Sequence, residues 1–375
     1  MIYWDNNATT CVAEEVLEAM LPYLQGSFFN PSAAYGPAKR VRRAVEEARE
    51  QVAALLGVHP GEIIFTSGGT EATNTALAQF TRTLCPATEH PATLRTAGTE
   101  PCPVQRNGTV DAAAWEALLP GHDGASFALA NHETGVLQNA EHLGEAAHRA
   151  GARVHLDIVQ AAGKIPLRLH ELPAEFASVS AHKLHGPKGV GALYVRCGTD
   201  YHPYQTGGAQ EDRRRAGTEN VPGIIGFGKA AELALQAAER YAGLAKLRDT
   251  FEQALLSNPA LPGPIINGAG ALRLPHVSNL RFPGIPAQSL TLLLEPAGLI
   301  CSAGSACTSA EPEPSHVLRA MGLSDTEARE SLRFSLSRYC THNEIEEGIR
   351  LVTAAAQKVL SVQSATTGPV LVYRP

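Results

Sequence analysis

Lys183 ends the segment Ser178-Val-Ser-Ala-His-Lys183, after an apolar run and before the Gly-rich turn Gly186-Pro-Lys-Gly-Val-Gly191. An amine at the end of a buried strand is poorly solvated, spends part of its time neutral, and can then condense with an aldehyde. A lone lysine at a strand end is ordinarily a surface residue; the neighbours here favour chemistry. His155-Leu-Asp-Ile-Val-Gln160 sets Asp157 inside an apolar strand, where a carboxylate needs a cation or a strong donor beside it. An arginine would serve, and so would a protonated pyridine nitrogen, whose ring then becomes a better electron sink. Thr66-Ser-Gly-Gly-Thr-Glu71 joins a strand to a helix. Its small residues, Gly69 and Thr70 among them, expose N–H groups where a helix dipole favours a phosphate. The segment lacks the Gly-Lys-Ser/Thr ending of a nucleotide-binding loop.

Cys301-Ser-Ala-Gly-Ser-Ala-Cys-Thr-Ser309 surrounds two thiols with small residues. A core has no use for so many of them, whereas a mobile loop presenting a nucleophile does. On this reading Cys307 is the nucleophile and Cys301 a structural thiol. His182 and His185 stand in an HxxH spacing with no third ligand nearby, so no metal is expected.

The elements that must position these groups alternate. Apolar runs at Ile63–Ser67, Ser126–Asn131, Arg153–Ile158, Phe176–His182 and Gly191–Val195 read as buried strands. Helical patterns fall at Thr70–Phe80, Glu141–Ala150 and Lys39–Leu56, the last with Val41, Val45, Ala48, Val52 and Leu55 on one face and Gly57 as its stop. Strands alternating with helices predict an α/β fold with a largely parallel sheet. One long helix is expected over Ile224–Leu256, followed by strands at His276–Phe282, Leu299–Ala303 and Ser331–Ser337. The expected division is a large domain over residues 13–240 and a small one built from 1–12 and 241–375.

Composition narrows the classes of function. The 375 residues are 44% hydrophobic and 18% charged, with a formal net charge of −6, which offers nothing to nucleic acid or an anionic membrane. No apolar stretch is long enough to span a bilayer. Seven scattered cysteines without CxxC pairing read as reduced thiols, and MIYWDNNATT lacks the layout of a secretion signal, so a cytoplasmic location is expected.

Several motifs occur together and in order: DNNATT, FTSGGTEATN, TEH, NHETG, HLDIVQ, SAHKLHGPKG, GGAQEDRRRAGTENV, SAGSACTS and SLRFSLSR. Over essentially its whole length the chain resembles the cysteine desulfurases. It is most similar to the housekeeping iron–sulfur and nitrogen-fixation group, whose sulfur-accepting cysteine lies on a long loop. The resemblance implies a pyridoxal 5'-phosphate enzyme of fold type I, with a mostly parallel seven-stranded sheet and a smaller α/β domain. It implies sulfur removal from L-cysteine, giving alanine and a persulfide on Cys307 that passes to an acceptor protein.

By the same resemblance Lys183 holds the cofactor, His90 stacks on its ring and assists proton transfer, Asp157 pairs with the ring nitrogen, and Gln160 bonds its phenolic oxygen. Thr70, Ser180 and His182 match phosphate ligands, and Thr218 matches one donated by the second subunit of a homodimer. Arg333 matches the fork that grips the substrate carboxylate. Three departures stand out. His132, in Asn131-His132-Glu133, occupies the place of a cofactor- and substrate-facing asparagine and can still donate one hydrogen bond. Ala209 replaces a glycine in GGAQE, and the stretch from Thr81 to Arg106 is shorter than is usual in the family. A selenocysteine lyase or aminotransferase of the same fold, and a non-catalytic scaffold in sulfur transfer, are the alternatives; the thiol loop favours desulfuration.

Overall fold

The computed structural model describes residues 1–303 and 313–366, with side chains to Gln363. Among the described residues twelve strands follow in chain order: β1 Ile2–Tyr3, β2 Ile63–Thr66, β3 Thr83–Pro86, β4 Thr99–Cys102, β5 Gly124–Ala128, β6 Arg153–Asp157, β7 Phe176–Ser180, β8 Gly191–Val195, β9 Ile265–Ile266, β10 Val277–Arg281, β11 Leu299–Ile300 and β12 Ser331–Ser335. Seven of them form one sheet in the order β2-β8-β7-β6-β5-β3-β4. β4, β3, β5, β6 and β7 run parallel, and β8 is antiparallel to both β7 and β2. β5, β7 and β8 are buried along their whole length, as expected of strands covered by helices on both faces. The fold is α/β with a mostly parallel seven-stranded sheet.

The amphipathic helix begins three residues earlier than its periodicity predicts, at Gly36, and ends at Leu56. Gly57 then takes φ 66° and donates its N–H to the carbonyl oxygens of Ala53 and Ala54, a left-handed cap that an L side chain would strain. Two strands lie in the stretch Thr81 to Arg106, where no strand is expected. β4 reads Thr-Glu-Pro-Cys and forms the sheet edge. An edge tolerates proline and needs no continuous apolar run, so no strand signal marks it.

The helix expected over Ile224–Leu256 is two helices, Val221–Gln236 and Ala238–Leu256. Ala237 N–H turns back onto the carbonyl oxygens of Leu233 and Ala234 and closes the first helix. The two halves serve different cores. Ile224, Phe227 and Ala231 join the apolar cluster around the large sheet, while Tyr241, Phe251 and Leu255 join a second cluster with Trp4, Leu280, Leu332 and Phe334. Above that second cluster β12, β10 and β9 form an antiparallel sheet, and β1 pairs in parallel with β11. The amino terminus therefore packs with the carboxyl-terminal third, then runs past the end of the large sheet.

Candidate active site

The parallel strands end on a cavity of about 340 Å³, where an open α/β sheet ordinarily binds its ligand. Asp157 closes β6 and enters this cavity, and Ser180 closes β7. A tight turn, Ala181–Lys183, follows β7 and brings His182 and Lys183 to the same wall. The helix Gly69–Leu77 starts at its edge, so that Gly69 and Thr70 line it with backbone N–H groups not yet spent on helical bonds. Arg333 arrives from β12 of the other sheet, and His90 and His132 from the loops after β3 and β5.

Lys183 Nζ donates to the carbonyl oxygen of Ala8 at 2.8 Å and to that of Asn7. Asp157 Oδ1 accepts from the Val159 N–H at 2.9 Å. Burial pushes its pKa up to about 6, against the pull of that hydrogen bond and of the Lys183 charge. Burial lowers His90 to about 4, helped by the charges of Lys183 and His316. The ring of His90 accepts the Ala92 N–H at Nδ1, 3.1 Å away, which leaves the proton of the neutral imidazole on Nε2. His132 is held well below the ordinary histidine range, first by burial and then by His90 and Arg333. Its ring lies 5.6 Å from that of His90 and 6.2 Å from that of His316.

Arg333 is 6% exposed and carries a buried Nε with no hydrogen-bond partner among the described residues. Gln160 Nε2 donates to the Asn7 carbonyl oxygen at 3.0 Å, and its Oε1 accepts from Lys164 Nζ at 2.9 Å. A second recess, of about 430 Å³, shares Gly69, Thr70, Ser180 and His182 with the first. His182 Nδ1 lies 3.1 Å from Thr9 Oγ1, whereas His185 turns to the carbonyl oxygen of Cys11. The two histidines of HxxH therefore do not converge. Thr218 is exposed and lines a separate recess beside Arg215, so this chain does not bring it to its own cavity. Cys307 lies outside the described residues. Both flanks adjoin the site: Ser302 pairs with Arg333, and His316 lines the cavity.

A family described as Aminotransferase class-V matches residues 2–347. A cysteine desulfurase of Trichormus azollae is 44% identical over 96% of this chain and 94% of its own length. The cysteine desulfurase NifS of Azotobacter vinelandii is 40% identical over 98% of this chain and 95% of its own length. The chain belongs to the cysteine desulfurases of the class-V aminotransferase family. A solved NifS-like protein superposes with a TM-score of 0.87 at 35% identity, covering 96% of this desulfurase chain and 99% of its own.

Members of this family work with pyridoxal phosphate, and the desulfurase cavity fits such a group. A Cβ on Gly69 would sit 3.0 Å from Val159 Cγ2, a tight contact that glycine avoids where the helix starts beside the β6 turn. Among the described residues nothing stands within 4 Å of where a Gly68 Cβ would be, so open space adjoins the start of this helix, the kind of end that suits a phosphate. Asp157 has no cation bonded to it among the described residues, the condition a protonated ring nitrogen would meet.

Several participants escape the motif reading. Asn7 and Asp5, inside the quoted DNNATT, touch the site through Gln160, Lys183 and Arg333. His316 and Lys164 had no distinctive spacing apart from Lys164 following Gln160 by four residues.

Proposed function

We propose that this chain removes sulfur from L-cysteine, with Lys183 carrying pyridoxal phosphate and Cys307 accepting the sulfur. One observation supports the reading above all: Lys183, Asp157, His90 and Arg333, from four separate segments, line one cavity at the carboxyl ends of parallel strands. Asp157 and Gln160 would hold the ring, and Gly69, Thr70, Ser180 and His182 the phosphate. What bound pyridoxal phosphate supplies is an electron sink for the α-carbon of the substrate.

The side chains do the rest. Arg333 binds the substrate carboxylate through its guanidinium, with His132 as a neighbour on the same wall. Lys183, once its amine is free and neutral, takes the α-proton. His90 holds a proton at Nε2 for the sulfur side of the substrate. Cys307, as thiolate, attacks the substrate Sγ; the carbon–sulfur bond breaks, its electron pair passes to the carbon skeleton, which takes up a proton at the β-carbon and regains the α-proton from Lys183, and alanine leaves. The persulfide on Cys307 then passes to an acceptor protein such as an iron–sulfur scaffold or a thiolation enzyme.

Thr218, exposed and lining a recess other than its own cavity, suits donation to a second copy of the chain in a homodimer. A division into a large domain over 13–240 and a small one over the rest is part of the proposal; the two main apolar clusters support it, with Leu274 and Val277 of the small domain packed into the first cluster. Among the described residues no helix is long and apolar enough to cross a membrane; a cytoplasmic site of action is part of the proposal. The purified protein, given L-cysteine and a reductant, should release alanine and sulfide in equal amounts. Equal release of pyruvate and ammonia, or transamination to a keto acid, would overturn it.

A further inference from the structure

Lys164 is 3% exposed and lies on the turn after β6, four residues beyond Gln160. Its Nζ donates to Gln160 Oε1 at 2.9 Å, while Gln160 Nε2 donates to the carbonyl oxygen of Asn7 at 3.0 Å. A carbonyl oxygen only accepts, so the Gln160 atom facing Asn7 is the amide nitrogen and the one facing Lys164 is the oxygen. Both ends of the amide are thereby assigned. One N–H is left over, on a side chain that lines the cavity.

We propose that Lys164 is a positioning residue that holds the Gln160 amide so that its remaining N–H meets an acceptor oxygen of bound pyridoxal phosphate. The inference rests on the function proposed above. Among the described residues no carboxylate pairs with Lys164. Its charge would stand among Lys183 and Arg333, and it bears in turn on His182, His185 and His276. Burial, then the charges of Lys183 and Arg333, keeps it well below the ordinary lysine range. A neutral amine still donates. It does so without setting a second full charge beside Lys183, whose amine must itself lose a proton to work. Without Lys164 the Gln160 oxygen is buried with no donor, and the amide is held at one end only.

The test uses the cofactor-loaded enzyme and three variants: Lys164→Met, Gln160→Met and the double substitution. Two quantities are read: the pH midpoint of the visible band of lysine-bound cofactor, and the pyridoxal phosphate concentration that half-reconstitutes the apoprotein. K164M should raise the midpoint by about half a unit, because an anionic oxygen without its donor holds the nearby proton more tightly. It should weaken cofactor retention about fivefold, the worth of one ordinary hydrogen bond. In the Q160M background K164M should add nothing further, since its effect runs through Gln160.

If K164M fails to fold, Lys164→Gln keeps a donor and should stay near the wild-type midpoint; a K164Q midpoint shifted as far as that of Q160M would overturn the proposal. So would a K164M enzyme with wild-type midpoint and retention, or one whose shift persists undiminished in the Q160M background. A wild-type protein with no lysine-bound band at all would overturn the proposed function and this inference together. An unaltered band in K164M would overturn the inference alone.

Discussion

Arg333 and Asp5, 328 residues apart in the chain, meet at 2.6 Å between Nη2 and Oδ1. Arg333 Nη1 also donates to the His132 carbonyl oxygen at 3.0 Å, so the fork is fixed on two sides before any substrate arrives. A guanidinium held in place loses less entropy when it clamps a carboxylate. Asp5→Asn should therefore raise KM for L-cysteine about tenfold while changing kcat less, and Arg333→Lys, which loses the planar fork, should do worse. Steady-state alanine release decides this; an unchanged KM in both variants would remove Arg333 from the substrate.

Lys183→Ala should leave no borohydride-reducible lysine adduct and should lower turnover by about 10³-fold or more. Lys164, a buried lysine nearby, already spends its Nζ on Gln160 and should not substitute for it. Peptide mapping after reduction would identify the modified residue, and an adduct surviving in the variant would move the role elsewhere.

Cys307→Ser should stop alanine formation while cofactor and cysteine still bind, seen as a spectral change on adding substrate. Serine is too weak an acid and nucleophile to take the sulfur. Cys301→Ser should be milder. Burial pushes the Cys301 thiol up to about 12, which keeps it protonated at neutral pH and makes it a poor nucleophile. Alkylation mapping after a cysteine pulse would find the persulfide; its appearance on Cys301 alone would reverse the assignment.

Asp157 gives the cofactor-free protein a pH signature. Its pKa of about 6 lies above the ordinary aspartate value, so the native state binds that proton more tightly than the unfolded chain. Stability from this source is present in acid and is lost as pH rises from about 4 through about 6. Asp157→Asn should flatten the Tm profile of the apoprotein across that window and make it more stable at neutral pH. The same variant should retain pyridoxal phosphate about tenfold less tightly or worse, because the ring nitrogen has lost its counter-charge. A variant that binds the cofactor as well as wild type would contradict the pairing.

Much of this molecule was legible in local sequence. The strand and helix periodicities around Lys39–Leu56, Arg153–Ile158 and Gly191–Val195 repeat over one or two turns or pleats, and burial of one face or both follows from them. The same local runs set Lys183 just past the end of β7 and Asp157 at the end of β6, next to each other once those strands pair in parallel. Other features have no local signal. β4 carries Pro101 and no apolar run because it is an edge, and being an edge is a property of the whole sheet. Ala237 breaks a helix whose sequence would allow it to continue, because its two halves bury against different cores. Asp5 on Arg333, the Asn7 carbonyl under Lys183 and Gln160, and His316 against the Glu89 carbonyl oxygen join segments between 153 and 328 residues apart. Types and spacing along the chain determined which side chains end the strands. Which distant backbone and side-chain groups hold them there was decided only by packing, because such contacts depend on how closed loops and buried faces fit together in three dimensions.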